Sequence, residues 1–352
     1  MPSLTLAIPA LNESDIIVGN VDELHRWMAA NLSDVDYEIL VINDGSSDGM
    51  GELLDAKAAD DGRFRVAHHP VNLGRGRAVR TAMAVTESDY LITLDADLSY
   101  GPHHIARMLE PLQAGRADIV LASPYHPEGR VENVPALRAW MSRNGNRILS
   151  RSFASGIHTA TCIVRGYTRE VIDHLELIND GKDLHLEVLN KAEILGFRVT
   201  EVPAELVWRD RNRGRAPAQR GRSFRNHPVY RMRRVIVSHL VFNFIARPQI
   251  LFVGPILIFL GSAAYGTALL TVAFVGRWRD GVAQPLRTTF IEGQLTLFLS
   301  IGAMLLAMVF LIFSFLAAQT KKYFEEQYIL STRSHYVLKQ INRQIRQSDR
   351  RR

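Results

Sequence analysis

Asp95 and Asp97 carry the most specific chemical capacity in this sequence. At the end of an extended run, positions two apart project to the same side, so both carboxylates can meet one hard divalent cation and the phosphates it bridges. Asp-x-Asp alone is common, and helix capping ahead of Pro102 would use the same residues. Two further polar clusters raise its weight. Pro9-Ala10-Leu11-Asn12-Glu13 and Asn43-Asp44-Gly45-Ser46-Ser47-Asp48 each follow a short apolar run, as Asp95-Ala96-Asp97 does. A cation held there, Mg²⁺ or Mn²⁺, would neutralise a diphosphate leaving group.

Such residues need strands to bring them together. Short apolar runs at 4–8, 37–43, 64–69, 90–95 and 119–123 alternate with amphipathic stretches at 15–30, 76–85 and 102–114. That alternation predicts an α/β domain with a mainly parallel central sheet. Helices at 135–153 and 184–195 and a strand near 198–201 complete it. In an open α/β sheet, ligands bind beyond the carboxyl ends of the strands, so the three polar clusters should converge on one crevice.

The rest of the chain reads as membrane apparatus. The net charge is +6, but residues 209–247 carry +10 and residues 319–352 carry +6, while 276–294 carry +1, which leaves −11 on residues 1–208. Basic patches appended to an acidic domain argue against a nucleic-acid binder. Residues 250–275 and 295–318 contain no Asp, Glu, Lys or Arg. At about 1.5 Å rise per residue each exceeds a hydrocarbon core of roughly 30 Å, so both are expected to span a bilayer. The basic flanks and the nearly neutral loop between the spans place both termini and the catalytic domain on the cytoplasmic side of the inner membrane. The first apolar run is too short for a signal peptide, and the single cysteine, Cys162, fits a reducing compartment. The expected organisation is a catalytic domain at 1–215, a basic amphipathic juxtamembrane segment at 216–247, an all-α membrane region at 248–319 and a basic tail at 320–352. In the tail, Tyr323, Phe324, Tyr328 and Ile329 are candidates to pack back on the surface.

With these residues in view, the chain resembles family 2 glycosyltransferases of the GT-A fold (the Rossmann-like nucleotide-diphospho-sugar transferase fold). Within them it is similar to the polyprenyl-phosphate or dolichol-phosphate sugar synthases, and its two C-terminal spans resemble bacterial members. The match runs through residues 8–13, 43–49, Asn72-Leu73-Gly74-Arg75-Gly76, 95–99, Ser142-Arg143-Asn144-Gly145-Asn146 and 196–203. The resemblance implies an inverting transfer of a hexose-type sugar from a UDP- or GDP-linked donor to a polyprenyl phosphate, with membrane lipids as surroundings and the oligomeric state open. Pro9, Ala10, Asn12, Glu13, Asn43, Asp44, Gly74 and Ala96 would line the donor pocket. Asp95 and Asp97 would hold metal and diphosphate. Arg143 and Arg211 would contact phosphate groups, with Arg130, Arg138 and Ser142 as further contacts for the lipid phosphate. Arg138 and Ser142 share a helix face because they stand four apart. His185 and Glu187 occupy positions that face the site in the family, and ordinary helix-surface polarity explains them equally well.

Three departures qualify the resemblance. Asn43 stands where the family usually has Asp. Ala122-Ser123-Pro124-Tyr125 stands where Gly-Ser-Arg-Tyr is common, removing an arginine that Arg130 could replace. Thr159-Ala160-Thr161-Cys162-Ile163-Val164-Arg165 replaces an Asp-x-x-Ser-Gly-Phe-Arg segment. A dinucleotide reading of Gly74-Arg75-Gly76 is weak, because the run follows the third strand instead of opening the chain. A processive polysaccharide synthase would show Gln-x-x-Arg-Trp and more spans, and the sequence has neither. A non-catalytic scaffold built on a decayed transferase domain is the other alternative, opposed by the retained Asp95 and Asp97.

Overall fold

The computed structural model describes residues 1–150, 153, 155–208 and 248–350. Arg211, the expected amphipathic segment and the expected boundaries at 215 and 247 lie outside the described residues. The chain divides into two compact units, Met1–Gly221 with Tyr328–Arg352, and Arg222–Gln327.

In the first unit the apolar runs become β1 (Ser3–Ala10), β2 (Asp36–Asn43), β3 (Phe64–His68), β4 (Tyr90–Thr93) and β5 (Ile119–Ser123). β6 (Arg130–Glu132), β7 (Arg165–Thr168), β8 (Val199–Pro203) and β9 (Glu205–Val207) follow. Seven strands form one sheet in the order β3-β2-β1-β4-β7-β5-β8, while β6 and β9 form a small parallel pair. All pairings in the large sheet are parallel except those of β7, which runs antiparallel to β4 and β5. Leu4, Leu6, Ala7 and Ile8 of β1 are all buried, as a strand covered by helices on both faces requires.

The covering helices are α1 (Ile17–Asn31), α2 (Met50–Asp60), α3 (Arg75–Val85), α4 (His104–Gln113), α5 (Ala136–Ser150), α6 (Arg169–His174) and α7 (Leu184–Leu195). α1 buries Ile17, Val21, Leu24 and Met28, spaced so that each turn contributes one apolar side chain to the core. β7 has no apolar alternation. It is a strand because Arg165 satisfies its charge internally and because Gly166 admits the side chain of Leu112, which would lie 2.8 Å from an added Cβ.

The second unit contains α8 (Pro248–Arg279), α9 (Pro285–Glu292) and the start of α10 (Gln294–Arg350). Phe252–Arg279 and Gln294–Leu338 are long and apolar enough to cross a membrane, with hydropathies of 1.9 and 2.6. Their apolar side chains, Leu257, Ile258, Phe298 and Leu305 among them, face outward, which suits a lipid environment and would be costly in water. Gly266 lets Ser300 approach the α8 backbone, a small-residue contact of the kind that joins helices in lipid. α10 continues beyond residue 318 as a helix, and its later turns belong to the first unit. There the Glu176 N–H donates to the Tyr328 hydroxyl at 3.3 Å, Lys191 Nζ lies 4.8 Å from the Tyr328 ring, and Tyr336 stacks on His174 with centroids 4.0 Å apart. Tyr323 and Phe324 are exposed.

Candidate active site

The first three polar clusters meet at the carboxyl ends of β1, β2 and β4, and hydrogen bonds join the first two. Asn12, in the left-handed region at φ 54°, accepts from the Ser47 N–H at 2.9 Å, while its own N–H donates to Ser46 Oγ at 2.9 Å. The Ser14 N–H donates to Asp48 Oδ2 at 3.0 Å. Pro9 and Ala10 are paired in register with Ile42 and Asn43, which puts the two loops side by side. Glu13 lies half-buried at the entry to α1, where its carbonyl accepts from the Ile16 and Ile17 N–H groups. Asn43 is buried, with Oδ1 accepting from the Ser46 N–H and Nδ2 2.9 Å from His68 Nδ1. An amide here donates and accepts at once, which a carboxylate could not do.

Asp44 is also buried, and its carboxylate is committed to a neighbouring loop. Oδ1 accepts from the Leu73 N–H and lies 2.8 Å from His69 Nδ1, and Oδ2 accepts from the Gly74 N–H. Asp44 therefore shapes the 72–76 loop. The two glycines of that loop answer to a second close approach. Gly74 has φ +101°, and a Cβ there would meet the Asp180 carbonyl oxygen at 2.5 Å; one on Gly76 would meet the Gly181 carbonyl at 2.5 Å. The glycine spacing thus serves backbone packing against residues 179–181. That second loop is held in turn by Glu187, which accepts from the Ile178 and Asn179 N–H groups and pairs with Lys191 at 2.6 Å. Burial pushes the Glu187 carboxyl up, but the Lys191 and backbone hydrogen bonds prevail and leave it below its usual range.

The sequence predicts an extended chain at Asp95 and Asp97, and the structure differs. β4 ends at Thr93, and residues 95–98 form a turn closed by a hydrogen bond from the Leu98 N–H to the Asp95 carbonyl, with Leu98 at φ 47°. The strand stops because Leu94 N–H is the last to reach β1, donating to Ala7. Both carboxylates are half-buried. Asp97 Oδ1 accepts from the Ser99 N–H at 3.0 Å and from the Ser99 hydroxyl at 2.5 Å, which orients the side chain. The buried Ala96 is fixed from α1, where Asn20 Nδ2 donates to its carbonyl at 2.7 Å. Hard oxygen donors on a braced turn fit a divalent cation and diphosphate oxygens.

Among the described residues, one trio of His and Glu side chains brings its donor atoms within 4.8 Å of one another: His103, His104 and Glu205. His104 is fully buried with Nδ1 2.8 Å from the Gly101 carbonyl, and its Nε2 accepts from the Glu205 N–H at 3.0 Å. Burial lowers its pKa to about 4, so the ring is neutral at neutral pH. With both ring nitrogens spent on backbone, a metal there would have to break two hydrogen bonds.

A cavity of about 360 Å³ opens beside α5, lined by Tyr125, Arg143, Arg147, Phe153, Ile157 and His158. The Arg143 guanidinium sits 5.8 Å from the Tyr125 ring, and His158 Nδ1 pairs with Glu201 at 3.0 Å. Asn146 anchors α5 beneath this cavity: its buried Oδ1 accepts from the Ala160 and Thr161 N–H groups and from the Thr161 hydroxyl. Arg165, wholly buried, donates to the carbonyls of Cys162, His185 and Ala160, tying the 159–165 segment to the start of α7. His185 is buried, and burial first, then the Arg165 charge, hold its pKa well below normal.

Comparison with known proteins was decisive for the family. The description "Glycosyl transferase family 2" matches residues 5–176. A polyprenol monophosphomannose synthase from Mycolicibacterium smegmatis is 32% identical over 215 residues, covering 58% of this chain and 77% of that protein. The chain belongs to glycosyl transferase family 2. Glycosyltransferase AglD from Haloferax volcanii is 30% identical over 206 residues, covering 57% of this chain, and the match spans only 32% of AglD. Among solved structures, glucosyl-3-phosphoglycerate synthase from Mycobacterium tuberculosis, crystallised with Mn²⁺ and UDP, aligns with a TM-score of 0.49 at 18% identity, over 70% of this chain and 80% of that one. Mannosyl-3-phosphoglycerate synthase from Rubrobacter xylanophilus aligns with a TM-score of 0.49 at 19% identity, over 69% and 74%.

Within this family 2 domain, of the residues expected to grip a lipid phosphate, Arg138, Ser142 and Arg143 lie on α5 and Arg130 on β6. Arg143 lines the cavity. Arg138 is stacked on Trp208 at 4.1 Å, Ser142 is exposed on α5 with its carbonyl accepting from Asn146 Nδ2, and Arg130 is exposed on β6. Arg147, His158, Asn20 and Arg165 were not singled out from the sequence. Arg147 could have been found, because it follows Arg143 by four on one helix. The others depend on contacts between distant segments.

Proposed function

We infer that this protein transfers a hexose-type sugar from a UDP- or GDP-linked donor to a polyprenyl phosphate at the cytoplasmic membrane face, with inversion. The observation that carries this reading is the cavity beside α5, where Arg143 and Arg147 stand among Tyr125, Phe153 and Ile157 in a domain whose first 208 residues carry −11. Two guanidinium groups with apolar walls suit an anionic head on a hydrocarbon chain. The name of the relative from Mycolicibacterium smegmatis supports the same acceptor. The two apolar helices and the basic flanks support the membrane setting and its cytoplasmic side.

Asp95 and Asp97 would hold a Mg²⁺ or Mn²⁺ ion, which when bound supplies charge neutralisation to the diphosphate. The 12–13 and 43–48 loops, with Pro9 and Ala10, form the floor for the nucleoside, and Asp44 keeps the 72–76 loop in place. A phosphate monoester is anionic near neutral pH, so its oxygen can attack the anomeric carbon without a strong general base. The new bond forms as the bond to the nucleoside diphosphate breaks, and the electron pair leaves with the diphosphate. One displacement inverts the centre. Arg143 and Arg147 would align the acceptor phosphate and reduce its repulsion from the departing anion.

Incubation of the full chain in detergent or nanodiscs with labelled UDP- and GDP-sugars, polyprenyl phosphate and Mn²⁺ tests this reading. A singly glycosylated lipid is the expected product. Absence of transfer from every donor would overturn the reading, and long polymer would assign the chain to processive synthesis.

A further inference from the structure

His158 stands in the cavity beside α5 with one ring nitrogen committed and the other available. Its Nδ1 lies 3.0 Å from Glu201 Oε2 of β8. An ionised carboxylate only accepts hydrogen bonds, so Nδ1 carries the hydrogen, and Nε2 is the atom that gains or loses a proton. Among the described residues no protein group bonds Nε2. The imidazole is 48% exposed where it lines the cavity, whereas the Glu201 side chain is 5% exposed. Glu201 is itself held, because its Oε1 accepts from the Thr159 N–H at 2.6 Å. The His126 ring meets His158 edge-on with centroids 5.8 Å apart, so the imidazole is braced on two sides.

The charges around the ring identify its ligand. Arg143 and Arg147 of α5 line the same cavity with Tyr125, and Glu201 is the acidic group paired with the ring. When the ring takes a proton, the Glu201 carboxylate balances its charge against the two guanidinium groups, and Nε2–H becomes a third cationic donor. Three cationic donors fit a phosphate dianion. The neutral ring does the opposite: with Nδ1 donating to Glu201, Nε2 offers a lone pair to an anionic oxygen. We propose that His158, held by Glu201, is a phosphate-binding residue that makes recognition of the acceptor proton-linked, with the imidazolium gripping the phosphate and the neutral ring releasing it. The proton comes from solvent on binding and returns to solvent after transfer. Transfer turns a dianionic monoester into a monoanionic diester, so the third cation also favours acceptor over product. The assignment rests on the lipid-phosphate reading above.

The test follows the acceptor KM of the full chain in detergent, at saturating donor, with a short, water-soluble prenyl phosphate. It runs from about pH 7 to 9, a window in which a phosphate monoester, with its second pKa at about 6, keeps one charge. The arginines stay charged throughout. The KM should rise about 10-fold, the loss of one charge-assisted hydrogen bond, with little change in kcat. His158→Arg should hold the low KM and His158→Gln the high one, both without the slope and both with the donor KM of the unsubstituted chain. A group that only braced its loop would not separate the two variants. A flat profile in the unsubstituted chain, or a slope that survives in His158→Gln, would overturn the proposal, the latter assigning the titration to His126. Calorimetry on the unsubstituted chain gives an independent answer. In two buffers of different ionisation heat at about pH 8, binding of the prenyl phosphate should take up about half a proton or more, and no uptake would overturn the proposal. If the unsubstituted chain transfers to no prenyl phosphate, the acceptor reading falls and the proposal with it; transfer with a flat profile sinks the proposal alone.

Discussion

Single residues in this protein act mostly through the loops they hold. Asp97 is the clearest test: Asp97→Ala removes an anionic oxygen donor from the turn after β4 and should lower transfer at least about 100-fold, the scale seen when one preorganised electrostatic group is lost. Circular dichroism and membrane insertion should be unchanged; retained activity would remove Asp97 from the metal and diphosphate role. Arg147→Ala should raise the acceptor KM about 10-fold with little change in donor KM, since a hydrogen bond to a charged group contributes about 1.5–3 kcal/mol. A pH effect belongs to His104. The unfolded chain binds a proton on this ring near pH 6.5, whereas the folded chain does so only near 4, so protons favour unfolding across that window. Its contribution is complete above about 6.5 and is lost as pH falls through about 4. Melting temperature should decline over that interval, and His104→Asn should flatten the slope. At this scale Asp95 and Asp97 stand out by residue type and spacing and Arg143 by the family resemblance, and the structure puts the two aspartates on one turn and Arg143 at the cavity beside α5. The backbone commitments of Asp44, Glu187 and Arg165 were not legible, because their partners lie from about twenty to thirty residues away, or across a loop, with no periodic signal.

Elements follow the same division. β5 and α7 form with the boundaries expected from the sequence, and β1 to β3 differ only at their ends; for β1, β2 and β5, runs buried on both faces leave a continuous apolar signature, whereas the edge strand β3 buries only Phe64. β7 left no such signature: its Arg165 and Gly166 are strand residues only because carbonyls receive the guanidinium and Leu112 fills the space above the glycine. α2 was also missed, since Met50 and Leu54 are its only buried side chains. The 72–76 loop joins two elements of the donor side, and its glycines offer a direct test. Gly74→Ala places a methyl against the Asp180 carbonyl at a backbone angle that favours glycine, so it should destabilise the domain by about 1–3 kcal/mol. Nucleotide affinity, measured by calorimetry on the full chain, should weaken with it. Unchanged affinity would mean that the contact between the 72–76 and 179–181 loops does not shape the donor pocket.

At the scale of the whole molecule, charge and hydropathy set the organisation. An acidic catalytic domain, two uncharged stretches and basic flanks were visible in the sequence, and the two stretches lie within α8 and α10. That α10 continues and rejoins the catalytic unit was only partly legible, because a polar tail with a few aromatics has no strong pattern. Truncation before Tyr328 removes the stacking on His174 and the contacts with Glu176 and Lys191. An aromatic pair contributes about 0.5–1.5 kcal/mol, so the melting temperature should fall by a few degrees while insertion persists. An unchanged melting temperature would show that these contacts add no stability. The central claim, a sugar moved onto a lipid phosphate, is tested most directly by one measurement: mass and anomeric configuration of the lipid product formed in nanodiscs from labelled UDP- and GDP-sugars. The account predicts a single sugar on polyprenyl phosphate, inverted relative to the donor and absent with Asp97→Ala. A retained configuration, a polymer, or no glycolipid from any donor would contradict it.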